Sequence, residues 1–299
     1  MVSLTDITGV GSKTADTLKE NGITTVDELA VAEPSDINGV SEAKAIKIVR
    51  RATQETITTK TAADLLDEFN SQTYASTGIG ELDEAMSGGW EAETIGLVYG
   101  KSDTGKTQVI FSSMGETAAE GTVVYLMTEL QSKSIAERLR SLSREVDHLD
   151  NIHIYEAFDV DEQYECYHAI EEDHEHIDLL VIDSFTAQFR MTDRFDGREN
   201  YGERSAEMGR HLRKLGKVAR VYQTPVVLTG QVYATPDAFG KGDNPWGGEK
   251  MLHFVSYYLR MSEGEGTLKK ATVENHPGIE ETTLRLRIED EEIVAVREP

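Results

Sequence analysis

Cysteine is almost missing from this chain. Cys166 stands alone, which excludes an internal disulfide and a cysteine-ligated zinc site. Basic residues are scarce as well: 30 Lys and Arg face 54 Asp and Glu, a net charge of −24. That balance argues against a generic basic nucleic-acid coat and against a polybasic membrane binder, although it leaves local basic loops open. No run approaches the roughly 18–20 apolar residues of a membrane span. Met1 to Asp6 show no basic region followed by an apolar stretch, so no signal peptide is expected. The expectation is a cytoplasmic protein that does not engage a membrane.

What is present is enough for more than one folding unit. The 299 residues, 38% of them hydrophobic, suit one medium domain and a small one. The acidic residues are spread along the whole chain rather than blocked. That distribution fits hydration in a salt-rich cytoplasm better than a dedicated acidic binding surface.

Residues 1–56 read as a small all-α domain. Ser12 is the expected N-cap of a helix over Lys13–Glu20, Thr25 opens a second, Pro34 breaks the chain, and Ser41 caps Glu42–Thr53. One pattern occurs twice, as Ile7-Thr8-Gly9-Val10-Gly11 and Ile37-Asn38-Gly39-Val40-Ser41. It resembles the helix-hairpin-helix motif, whose tight turn offers backbone N–H groups to a phosphate at a helix N-terminus. Gly9, Gly11 and Gly39 are therefore candidate DNA contacts, with a protein-interaction module as the alternative.

Residues 57–76 read as a linker. From 77 to 299, apolar strands alternate with helical patterns: Thr94–Tyr99, Val123–Leu126, Ile152–Tyr155, Leu179–Ile182 and Val226–Leu228. This predicts an α/β core with a mostly parallel sheet covered on both faces. Thr282–Ile288 and Ile293–Val296 alternate apolar with polar, and predict an antiparallel hairpin on the sheet edge.

The strongest chemical signal is Gly100-Lys101-Ser102-Asp103-Thr104-Gly105-Lys106-Thr107, a complete P-loop between an apolar strand and a helical stretch, with Gln108 behind it as a further candidate cofactor contact. The glycines let successive backbone N–H groups face phosphates. Lys106 brings a mobile charge to the β and γ oxygens of ATP, and Thr107 a hydroxyl to Mg²⁺. Asp183, after four apolar residues, is the expected second holder of the Mg²⁺ shell. Glu129 follows another apolar strand and is a candidate to orient and polarise water, with a helix cap as the bland alternative. Beyond Asp183, Arg190, Arg194, Arg198 and Arg204 are interleaved with Phe195 and Tyr201. Guanidinium groups pair phosphates and aromatics stack on bases, but nearby acids nearly neutralise this stretch. The eight histidines show no metal-binding spacing and read as surface residues.

Further segments fall in a fixed order: Ser76-Thr77-Gly78-Ile79-Gly80-Glu81-Leu82-Asp83-Glu84, Gly88-Gly89, Thr128-Glu129, Ala136-Glu137-Arg138-Leu139, Ser184-Phe185-Thr186 through Phe189-Arg190, Thr229-Gly230-Gln231-Val232, and Asn244-Pro245-Trp246-Gly247-Gly248 with His253. Together with the module ahead of them, they resemble archaeal RadA/RadB-type recombinases of the RecA superfamily over nearly the whole chain. The resemblance implies a RecA-like P-loop ATPase core behind a helix-hairpin-helix domain. It implies a DNA-dependent ATPase acting as a recombinase paralogue in homologous recombination and DNA repair.

By the same resemblance, Glu129 is catalytic with Lys106, Gln231 senses the γ-phosphate, Arg138 stacks on adenine, and Pro277 belongs to a segment that caps ATP. Arg190, Arg194, Phe195 and Arg198 fall in a first DNA-binding loop, and Lys241, Gly247 and Gly248 in a second. ATP, Mg²⁺ and a further K⁺ are the implied cofactors. Single-stranded DNA is the implied partner, with further copies of the chain or a main RadA recombinase beside it.

The departures point to a divergent paralogue, and the acidic composition to a haloarchaeal one. Met127 stands where the family has Asp, Leu130-Gln131-Ser132 follow the Glu, and Phe69 lacks an alanine three residues on. Asn275-His276-Pro277 replaces Asp-Ser-Pro. An ATP-binding accessory regulator without strand exchange is the alternative, and a P-loop kinase of small molecules is the third reading.

Overall fold

The computed structural model describes the chain apart from residues 1–2, 57–60, 65–66, 68–72, 130–147, 196, 198, 234–243, 277, 290–292 and 297–299. The chain divides into two compact units, residues 1–71 and 72–299.

In the first unit, α1 (Ser12–Glu20), α2 (Val26–Val31) and α3 (Glu42–Thr56) surround a core that includes Leu18, Leu29 and Ile48. Ala45, Ile48 and Ala52 form the buried stripe of α3 at the spacing of one helix face. Gly11, not Ser12, is the N-cap of α1, and Ser12 is its first residue. The Gly11 carbonyl accepts from Thr14 and Ala15, and the Ser41 carbonyl accepts from Lys44 and Ala45 in the same way. The two copies of the pattern thus enter their helices alike, although one has Ser where the other has Gly. Thr25 caps α2 as expected, in a reciprocal box with Glu28. Gly9 (φ 102°) and Gly39 (φ 77°) both take the left-handed backbone that the hairpin turns demand. Asn21 ties the second turn to the end of α1, donating to the Asn38 carbonyl at 3.0 Å and accepting from the Asn38 N–H at 2.8 Å.

The second unit opens with β1 (Tyr74–Ala75), which pairs antiparallel with β2 (Trp90–Glu91) across α4 (Gly80–Ala85). Residues 74–75, expected in the linker, therefore belong to this unit. Then follow β3 (Ile95–Gly100), α5 (Lys106–Ala118), β4 (Val123–Met127), β5 (Ile152–Glu156), α6 (Val160–Asp173), β6 (Leu179–Asp183), α7 (Ala187–Met191), α8 (Tyr201–Tyr222) and β7 (Val226–Gly230). A short pair, β8 (Val232–Tyr233) and β9 (Asn244–Pro245), precedes α9 (Gly248–Leu252). The chain ends in β10 (Tyr257–Glu263), β11 (Leu268–Glu274), β12 (Thr282–Ile288) and β13 (Ile293–Ala295).

Among the described residues, nine strands form one sheet in the order β13-β12-β11-β10-β3-β7-β6-β4-β5. From β10 to β5 every neighbour is parallel, and β10 to β13 form an antiparallel meander. The edge hairpin expected at the C-terminal end is β12–β13. β10 and β11 were not legible, because Arg260, Lys269 and Lys270 interrupt their apolar pattern. Alternate residues along the central strands serve two cores: Leu97, Leu126, Ile182 and Leu228 pack toward α6 and α8, and Val98, Tyr125, Val181 and Val227 toward α5. Covering both faces is what makes these strands read as continuous apolar runs.

The consequence for the site is positional. Parallel register places the ends of β3, β4, β6 and β7 at one edge, with Tyr99 beside Gly230 and Met127 beside Asp183. The region after Asp183 is not a plain loop. It holds α7 and a 3-10 turn, Asp193–Phe195, and Arg204 lies inside α8. Among the described residues no helix is long and apolar enough to cross a membrane.

Candidate active site

The P-loop links β3 to α5. Gly105, the N-cap of α5, sits at φ 92°, and a side chain there would press on Ile288 at 3.0 Å. Thr104 is buried and its hydroxyl donates to the Lys101 carbonyl at 2.8 Å, so this side chain shapes the loop from within. Lys106 Nζ donates to the same carbonyl at 2.6 Å. Burial lowers the Lys106 pKa, and the carboxylates of Asp183, Glu129 and Asp103 pull it back up. A desolvated ammonium at the start of a 13-residue helix with no acid in its first turn is an anion site.

Asp183 ends β6 opposite that ammonium. Its Oδ2 accepts from the Tyr125 hydroxyl at 3.2 Å, and its Oδ1 accepts from Thr229. Both oxygens keep further lone pairs for a cation or its water. Thr128 is clamped to the same strand: its N–H donates to the Asp183 carbonyl at 3.0 Å, and its hydroxyl to the Ser184 carbonyl at 2.6 Å. Glu129 follows directly and is half-buried. Burial raises its pKa and Asp183 raises it further, whereas Arg190 and Lys106 lower it. Gln231 follows β7, and its carbonyl accepts from the Trp246 N–H at 2.7 Å, joining the β7 end to Trp246-Gly247-Gly248.

This donor set fits a polyphosphate with a hard divalent cation: backbone N–H groups and Lys106 for phosphate oxygens, the Thr107 hydroxyl and the Asp183 carboxylate for the cation. Among the described residues no group of three or more His, Cys, Asp and Glu could hold a metal. A cation here would share its shell with phosphate oxygens and water.

Beside this centre the aromatic and arginine residues are arranged otherwise than expected. Phe195 is 2% exposed and stacks on Phe189 with centroids 6.0 Å apart. It is a core residue that only borders the cleft described below, with its ring taken by Phe189. Arg194 is paired with Asp161 at 3.3 Å and Glu203 at 3.0 Å, so its charge is already compensated. Both side chains were expected to contact DNA, and tertiary partners take them instead. Phe195→Ala should therefore act on stability, costing about 3–5 kcal/mol as a large-to-small core change. Thermal unfolding checks this, since a mere binding residue would leave the midpoint unmoved.

Arg190 is exposed at the end of α7. Arg204 takes the place that Phe195 was expected to fill. Its guanidinium lies 5.0 Å from the Tyr201 ring centroid and 4.9 Å from that of Trp246. Arg204 and Trp246 line two adjoining clefts, of about 280 Å³ and 360 Å³. The first also takes in Arg190, and the second Gly247 and Gly248, both at positive φ. Only the Tyr201–Arg204 spacing, one helical turn, hinted at this in the sequence. His211 corrects the surface reading of the histidines: it is fully buried among Tyr164, Tyr167 and Phe189. Burial, with Arg210 beside it, pushes its pKa down to about 3. Arg138, Arg198, Lys241 and Pro277 lie outside the described residues, as does Phe69.

The comparisons with known proteins cover both units. Residues 70–296 match the Rad51 family model, and residues 1–54 match that of the SAM-like helix-hairpin-helix tandem. The DNA repair and recombination protein RadA of Ignicoccus hospitalis is 30% identical over 322 aligned positions, covering 99% of this chain and 96% of the relative. The protein of the same name from Aeropyrum pernix is 32% identical, with 91% of each chain covered. That of Methanococcus voltae is 30% identical over 97% of this chain and 98% of its own.

Proposed function

We propose, from the premise that this chain belongs to the Rad51 family, that it is an ATP-dependent, DNA-binding recombinase paralogue of homologous recombination and DNA repair. The observation that carries the reading is the meeting of Lys106, Asp183 and Glu129 at one sheet edge, with Arg190 acting on Glu129 and also lining the neighbouring cleft.

The residues divide the work as follows. Gly100 to Thr107 and Gln108 hold ATP, with Lys106 on the β and γ oxygens. Bound Mg²⁺ would neutralise charge on those oxygens, with Thr107 and Asp183 as its protein holders and K⁺ as a further cation. Glu129 accepts the proton of the water that attacks the γ-phosphate, and its raised pKa brings its proton affinity nearer to neutral pH. Gln231 links the γ-phosphate to the clefts, a role supported by the bond from the Trp246 N–H to its carbonyl. Single-stranded DNA enters there: Arg190 pairs a phosphate, and the Tyr201–Arg204–Trp246 stack accepts unstacked bases. Gly9, Gly11 and Gly39 offer backbone contacts to DNA phosphates.

An accessory regulator is the second reading. It is favoured by the commitment of Arg194 and Phe195 to internal partners. The kinase reading falls with the family assignment.

Anisotropy of a labelled oligonucleotide, from low to molar KCl with and without ATP, separates the two that remain. We expect ATP-dependent binding that survives molar salt, because stacking rather than net charge carries it. Arg204→Ala should weaken it by about 1–3 kcal/mol, the cost of losing one stacking partner. No binding at any salt leaves the regulator.

A further inference from the structure

Gln188 is an amide in the interior of the second unit, 6% exposed on α7. Its Nε2 donates to the Thr128 carbonyl at 2.5 Å and to the Ala157 carbonyl at 3.2 Å. These are the ends of β4 and β5, where the regular ladder has stopped and carbonyls need another donor. A leucine of similar volume would fill the space and leave both carbonyls unmet.

The Thr128 carbonyl belongs to the peptide unit that leads into Glu129. The bond from Gln188 therefore sets the plane of that peptide and the direction in which Glu129 leaves the strand. The same segment is held from its other side by the paired bonds between Thr128 and Ser184, at 2.6 Å and 3.0 Å. Two residues beyond Gln188, on the same short helix, Arg190 faces out and lines the cleft of about 280 Å³ with Arg204 and Trp246. One end of α7 thus grips the peptide before the catalytic carboxylate, and the other end forms part of the wall that DNA would touch.

We infer that Gln188 is a positioning residue for Glu129, and that α7 couples the cleft to the site so that occupation of the cleft changes the rate of hydrolysis and not the affinity for nucleotide. This rests on the function proposed above. A ligand phosphate that draws Arg190 away, or a base that shifts α7, changes the direction in which the carboxylate leaves the strand. ATP contacts should stay as they were, since Thr104 and Lys106 hold the P-loop through bonds to its own Lys101 carbonyl.

The test is Gln188→Leu in the full chain. It reads steady-state ATP hydrolysis with and without a poly-thymidine oligonucleotide, together with the Kd for a fluorescent ATP analogue. We expect kcat to fall about ten- to a hundredfold, the range that a misplacement of about 1 Å costs. The analogue Kd should stay within about twofold, and stimulation by the oligonucleotide should vanish. A rise in KM at unchanged kcat, or unchanged stimulation, overturns the inference.

Should Gln188→Leu fail to fold, Arg190→Gln at the exposed end of α7 decides. With the oligonucleotide saturating, it should abolish stimulation while the analogue Kd stays within about twofold, and intact stimulation rejects the coupling. Absence of any turnover in the unaltered chain removes the proposed function and this inference together. Turnover in that chain with an equal kcat in Gln188→Leu removes the inference alone.

Discussion

Lys106→Ala is expected to lose nucleotide binding while the chain stays folded. Among the described residues Lys106 donates to the Lys101 carbonyl, and the carboxylates of Asp183, Glu129 and Asp103 act on its charge. Burial disfavours its charge, so the ammonium is held in a place where an anion, not solvent, would repay its desolvation. Removing it takes away charge-assisted bonds to phosphate worth about 1.5–3 kcal/mol each. Two such bonds correspond to a loss of affinity of about 10²–10⁴.

The fold should not follow. The bond to Lys101 lies within the loop, and the Thr104 hydroxyl continues to satisfy the same carbonyl. Titration with a fluorescent ATP analogue measures the first effect and thermal unfolding the second. Unchanged affinity would mean that the phosphates sit elsewhere.

The parts of this site that could be read in the sequence are those written locally. A P-loop is contiguous, since its turn, its lysine and the helix that follows are dictated by neighbours within eight residues. Asp183 and Glu129 were legible because each ends a run buried on both sheet faces, which reads as unbroken apolar sequence. β10 and β11 escaped for the opposite reason. They lie outside the doubly covered part of the sheet, so charged residues appear among their apolar ones. The arginine-aromatic stretch misled because an aromatic beside arginines in a polar segment suggests an exposed stacking surface. Phe195 is instead drawn onto Phe189, and Arg194 onto Asp161, 33 positions away in the chain. Arg204 meets Trp246 only because β7 turns back through Gln231 to the Trp246 N–H. Such pairings depend on where strands end in space, and no periodicity encodes them. Gln188 is of the same kind, because its meaning lies in two carbonyls from other strands.

Glu129→Gln is expected to retain ATP and lose its hydrolysis. The amide keeps the shape of the side chain but cannot take a proton, so a general-base contribution of about 10²–10⁴ in kcat should disappear. The pH dependence sharpens the test. Burial and the nearby Asp183 raise the Glu129 pKa, more than offset by neither Arg190 nor Lys106. A base must be ionised to act, so wild-type kcat should climb with pH through that raised pKa and level off above it. The variant has no such group and should show a low, flat profile over the same range.

ATP affinity responds differently. Glu129 acts on the Lys106 ammonium, and a negative charge there would repel the γ-phosphate proposed to bind beside it. Neutralising it should leave affinity equal or tighter, which separates this variant from Lys106→Ala. Single-turnover hydrolysis across the pH range, with analogue binding at each point, measures both. Retention of near wild-type turnover with the acid limb intact would transfer the base role to another group. Met127 offers no substitute: it is an apolar side chain 5% exposed, packed in the core on the α5 face of the sheet. Asp183 is the carboxylate next to it in register, and would then have to serve both the cation and the water.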